Sequence, residues 1–173
     1  MKEATNRSWI PEEELPSVDI ENLLKDKGYN SDQIHNLMRN DILFLSTQAS
    51  NENHELLTLD TVQMKKILAK ELEGLQIDFP LDQNREHRYL ELLHAEIYIG
   101  LIVFLSITAW EISKGVISNW LYDRFRGMKK GGKTLHARVE IQITDQKQGR
   151  TYHFKYSGPA DEVSKIIKET EFK

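Results

Sequence analysis

From Leu135 to Thr144 apolar and polar residues alternate, with Leu135, Ala137, Val139, Ile141 and Ile143 on one side and His136, Arg138, Glu140, Gln142 and Thr144 on the other. A period of two marks a strand with one buried face. Residues 145–149, Asp-Gln-Lys-Gln-Gly, supply a turn, and Tyr152, Phe154 and Tyr156 then alternate with Thr151, His153 and Lys155, which predicts a β-hairpin. If the apolar side chains share a side, odd positions must face even ones, as Ile143 with Tyr152 and Ile141 with Phe154. After Gly158, Pro159 suits the first turn of a helix, Asp161 and Glu162 favour its N-terminus, and Val163, Ile166 and Ile167 form its apolar stripe. Residues 135–173 therefore read as a ββα module. Two strands alone are marginal, so this sheet should gain a further strand from elsewhere in the chain or from another copy.

Upstream the period lengthens. Residues 1–18 hold Pro11 and Pro16, which disfavour helix, and read as an extended arm that Trp9 anchors on its own domain. Residues 19–80 read as a helical region. A first helix closes at Gly28, and Asn30 with Gln33 can cap a second carrying Ile34, Leu37 and Met38. The apolar run at 41–46 is too short to assign by period, and residues 47–55 read as an exposed polar loop. A third helix is expected with Asp60 as its cap, Gln63 three residues on, and Leu59 and Met64 as a hydrophobic staple; Ile67, Leu68 and Leu72 lie on the same helix, and Gly74 stops it. Pro80 divides this region from the next.

Between Glu96 and Glu111 lie fourteen uncharged residues, Ile97 to Trp110. As a helix this run would measure about 21 Å at roughly 1.5 Å per residue, short of a hydrocarbon layer of about 30 Å. It is read as the middle of a central apolar helix over residues 85–126, with Gly100 and Gly115 as its points of kinking or division, buried in protein. One chain of this size would not cover such a helix fully, so self-association through it is expected. The alternative is a membrane-associated protein: a Glu111–Lys114 pair one turn apart would extend the apolar segment over 97–122 to bilayer length. The fold class expected from all these segments is α+β.

Composition narrows the function classes. Without cysteine, thiol chemistry and thiolate metal sites are excluded, and a cytoplasmic setting is the expectation. A net charge of −4 argues against a general nucleic-acid-coating protein. The N-terminus shows no apolar core of a secretory signal. Residues 127–134, Gly-Met-Lys-Lys-Gly-Gly-Lys-Thr, match the phosphate-loop pattern, yet that chemistry needs a strand before the loop and a helix after it. Here a helix precedes and a strand comes after, so the segment reads as a basic glycine-rich linker.

Around that linker, Trp120, Tyr122, Arg124, Arg126, Lys129 and Lys130 bring aromatic and basic side chains together and are the candidate partner-binding residues. An acidic protein, anionic lipid headgroups or a nucleic-acid backbone could meet this cluster. On a helix, His87, Glu91 and His94 would share one face at i, i+4 and i+7, a weak candidate for zinc or iron. His136 and His153 on the polar side of the hairpin lack a nucleophile or an orienting carboxylate and read as solvent-facing. No catalytic residue and no cofactor is assigned. The expected function is non-catalytic protein binding, as an adaptor, accessory subunit or inhibitor of the immunity type, with a protein partner and self-association; a metal-binding protein or enzyme using His87, Glu91 and His94 stands third.

Overall fold

The computed structural model describes residues 18–46, 54–90, 96–128 and 136–169. The hairpin is formed as its alternation predicts: β6 (His136–Asp145) pairs antiparallel with β7 (Arg150–Pro159), Ile143 opposite Tyr152 and Ile141 opposite Phe154. Gly149 takes φ +65° at the turn, a conformation that favours glycine. The further strand comes from within the chain. β5 (Glu96–Phe104) lies parallel to β6, and β1 (Ile42–Leu45) and the short β3 (Ile77–Asp78) extend the sheet to the order β3-β1-β5-β6-β7. A separate parallel pair joins β2 (His54–Thr58) to β4 (Glu86–Leu90).

The architecture is α+β, and it places helices on both faces of the sheet. On one face α3 (Leu59–Glu71), α4 (Ile107–Met128) and α5 (Ala160–Glu169) cover a core built from Ile42, Phe44, Ile102, Phe104, Ile141 and Phe154. Trp110 of α4 is wholly buried there, edge-on to Phe104 at 5.1 Å and to Phe154 at 5.8 Å. On the other face α1 (Ile20–Asp26) and α2 (Ser31–Leu37) pack Ile20, Leu24 and Ile34 on Leu43, Leu45, Leu101, Val103 and Leu105. Asn30 and Gln33 form the expected capping box on α2.

The central apolar run departs from the expectation. Residues 97–104 are strand, not helix, and 86–90 are strand as well; the helix begins only at Ile107 and ends at Met128. The physical reason is burial on both faces. Ile97, Ile99, Ile102 and Phe104 face the α3–α4–α5 core, while Leu101 and Val103 face α1 and α2. A strand covered on both sides shows no alternation. Its parity also changes in the middle, because the pairing with β6 jumps from Ile99 to Leu101 and leaves Gly100 as a bulge. A Cβ at Gly100 would lie 2.9 Å from the carbonyl oxygen of Leu45, so only glycine fits. Ser106 then starts α4, its hydroxyl accepting from the Ala109 amide at 3.0 Å.

With the run split at 105–106, residues 97–122 do not form one continuous helix, and a membrane span through that segment is corrected accordingly. Among the described residues no helix is long and apolar enough to cross a membrane. The premise for self-association, a helix apolar all round, is corrected too, since the sheet and α5 bury α4's apolar side. Helix α3 is also capped differently: the side chain of Thr58, not Asp60, accepts from the Thr61 amide. The arm at 1–17, residues 47–53 of the polar loop and the linker at 129–134 lie outside the described residues. Glu55, assigned to that exposed loop, is buried in β2.

Candidate functional site

Helix α4 faces the sheet with Trp110, Ile117 and Leu121 and leaves an outer stripe. Thr108, Ile112, Gly115, Asn119, Tyr122 and Arg126 are exposed along it, three and four residues apart, as helical geometry requires of one face. Ile112 and Tyr122, each 49% exposed, are two of the three exposed large apolar side chains among the described residues. The Arg126 guanidinium sits 5.8 Å from the centre of the Tyr122 ring, a cation–π arrangement that holds both on the surface. Near the start of the helix, Glu111 pairs with Lys114 at 2.7 Å, the pairing anticipated from the sequence.

The six residues expected to bind a partner are thus sorted by the fold. Tyr122 and Arg126 stay on the outer stripe, whereas Trp120 is half-buried against the core and Arg124 turns to Asp60, with Nε 3.3 Å from Oδ1. Lys129 and Lys130 lie outside the described residues. The metal candidate loses its geometric basis, because His87 stands exposed on strand β4 and the helical face it was to share does not exist there; Glu91 and His94 lie outside the described residues. Among the described residues no group of three or more His, Asp or Glu side chains is placed to hold a metal ion. His136 is exposed, as expected, but His153 is buried with Nε2 2.8 Å from Glu140 Oε1, a correction caused by a neighbouring carboxylate on the adjacent strand.

Two polar clusters were missed in the sequence. In the first, Lys27 at the end of α1 places Nζ 2.5 Å from Glu55 Oε1 and 3.2 Å from the Ser46 hydroxyl, which itself donates to the same carboxylate. The Asp82 amide donates to Glu55 Oε2 at 2.7 Å. Burial would raise the Glu55 pKa, but the hydrogen bonds from Lys27, Ser46 and the Asp82 amide outweigh it and hold the carboxyl below its ordinary value. In the second, the first turn of α3 serves the part of β5 that β1 does not reach. Asp60 accepts from the Tyr98 amide at 3.2 Å, Thr58 donates to the Tyr98 carbonyl at 2.7 Å, and Thr61 accepts from the Gly100 amide at 3.1 Å. Both clusters are internally satisfied and hold elements together; the one sequence signal for the first was an isolated acid, Glu55, directly before Leu56 and Leu57.

Comparison with protein-family models, with curated proteins and with solved structures finds no match to this chain.

Proposed function

We propose that the chain is a non-catalytic protein-binding module, an adaptor, accessory subunit or inhibitor, which meets its partner with the outer face of α4. The observation that carries this reading is the pairing of exposed Ile112 and Tyr122 with Arg126 on one helical stripe. Aromatic and arginine side chains backed by a rigid element are the usual energetic centres of protein interfaces. Gly115 between them has open space above it, so a partner can approach the helix backbone closely there.

A second copy of the chain is one occupant that this stripe favours, since Glu111 lies toward one end and Arg126 toward the other, and an antiparallel crossing would bring opposite charges together. The test is affinity purification of the tagged chain from its native cells, beside light scattering of the purified protein. A stoichiometric partner, or a dimer mass, that is lost in Ile112→Glu and in Tyr122→Glu supports the proposal. Retention of the partner by both variants would refute it.

A further inference from the structure

The exposed stripe of α4 is symmetric about the middle of the helix. Thr108, Ile112, Gly115, Asn119, Tyr122 and Arg126 are separated by four, three, four, three and four residues, the spacing of a seam between two helices packed along their length. Each has a mate at equal distance on the other side of Ile117, which is wholly buried in the core. Thr108 answers Arg126, Ile112 answers Tyr122, and Gly115 answers Asn119. At about 100° per residue all six lie about 140–180° round the helix from Ile117, on its outermost line. The mates are also complementary in bulk. The two large apolar side chains, each 49% exposed, correspond to one another, and the glycine, with open space above it, corresponds to a short amide.

Laid antiparallel on a second copy, with the two-fold axis passing Ile117, this stripe meets itself. Ile112 of each copy packs on Tyr122 of the other, and Asn119 of each enters the notch above Gly115 of the other, where the missing Cβ lets the backbones approach. The two Asn119 side chains then stand about 6 Å apart along the axis at about 1.5 Å per residue, so their amides reach one another. An amide at the centre of such a seam fixes its register, because a slip sets it against apolar side chains. A parallel pair would set like on like instead, with Gly115 opposite Gly115 over a void and Arg126 opposite Arg126 in repulsion. The antiparallel contact calls on no free charge: Glu111 stays with Lys114 and Arg124 with Asp60. It also leaves the buried side of α4 in its own core.

We propose that the molecule seated on α4 is a second copy of this chain, joined as an antiparallel helix pair with Ile112 on Tyr122 and Gly115 on Asn119. This rests on the binding role assigned to the stripe above and names its occupant and register. A contact about 27 Å long and one helix, about 10 Å, wide is smaller than the roughly 800 Å² that a standard interface buries on each side, so the pairing belongs to the weak, concentration-dependent class.

The test is sedimentation equilibrium of the purified full chain from micromolar to millimolar concentration. The parent should reach a dimer mass. Ile112→Glu and Tyr122→Lys, each alone, should weaken the dimer by about tenfold or more. Mixed in equal amounts they should restore it, because one layer becomes Glu on Lys and the other remains Tyr on Ile, whereas a mixture of Ile112→Glu with Tyr122→Glu should stay monomeric. Gly115→Gln separates pairing from folding: nothing lies near its Cβ and glutamine is the better helix former, so this variant should melt no lower than the parent and yet lose the dimer. A parent that stays monomeric at the highest concentration, a dimer indifferent to Gly115→Gln, or a mixture of Ile112→Glu and Tyr122→Lys that fails to recover would each overturn the inference. The manner of failure tells the two proposals apart. A monomer whose native partner is lost in Ile112→Glu overturns self-pairing and leaves α4 as the face for another protein; a monomer that keeps every partner in both glutamate variants overturns self-pairing and the binding role together.

Discussion

Glu55 illustrates how much a single buried charge depends on its partner. With Lys27 and Glu55 both almost inaccessible to water, removing one leaves the other charged and uncompensated, a loss of about 3–5 kcal/mol. Lys27→Met should therefore lower the urea midpoint sharply, and adding Glu55→Leu should recover part of the loss, because an apolar pair carries no stranded charge. Acid acts on the same contact. A carboxyl held below its ordinary pKa of 4.5 binds fewer protons when folded than when unfolded, so its stabilisation is fully present above that value and drains away as the pH falls toward the depressed folded one. Glu55→Gln should accordingly flatten the decline in melting temperature below about pH 4.5 relative to the parent, which a melting series across that range would reveal. A variant whose decline matches the parent would show that Glu55 does not drive the acid response.

At the scale of elements, the junction between α3 and β5 holds the sheet together where strand pairing ends. β1 reaches only the second half of β5, and the side chains of Thr58, Asp60 and Thr61 take over as hydrogen-bonding partners of the first half. Thr61→Val keeps the shape but strands the Gly100 amide, and a buried amide without an acceptor costs about 1–3 kcal/mol. Gly100→Ala acts at the same point by crowding, since its Cβ would stand 2.9 Å from a backbone oxygen that has little room to move; a destabilisation of about 1–3 kcal/mol is expected. Chemical denaturation measures both. Gly115→Ala on the open face of α4 is the contrast: with nothing near its Cβ, it should stabilise the isolated chain by up to about 1 kcal/mol through helix propensity.

Across the whole molecule, β5 is the element that every other layer touches. It has β1 on one side and β6 on the other, α3 and α4 over one face and α1 and α2 over the other. Opening it requires disrupting both cores, so the amides of residues 101–104 should be the slowest to exchange with deuterium, and those of the two-stranded β2–β4 pair much faster. Equal protection in the two sheets would mean that they open as one unit. The placement of α4 is settled at this scale too, because its apolar side packs into the core while Ile112 and Tyr122 stay exposed on its outer stripe, the face on which the proposed binding role rests.

The ββα module was legible from residues alone, down to the pairing of Ile143 with Tyr152, because one face of each strand is buried and the other polar, and a one-residue slip would expose every apolar side chain. The capped helix α2 and the stop at Gly74 were legible for a similar local reason: side chains and a positive φ settle them within a few residues. The strand at 97–104 was not, since helices cover both of its faces and Gly100 shifts its parity, so that neither period survives in the sequence. Nor could sequence spacing show that Lys27 meets Glu55, that Arg124 is drawn away from the predicted binding cluster by Asp60, or that Arg138 and Lys155 share one cleft with Val18. Those contacts join residues far apart in the chain. Local pattern determined the elements that are solvated on one side, and tertiary structure alone decided those buried on both and the pairing of distant charges, because only packing specifies what each buried group touches.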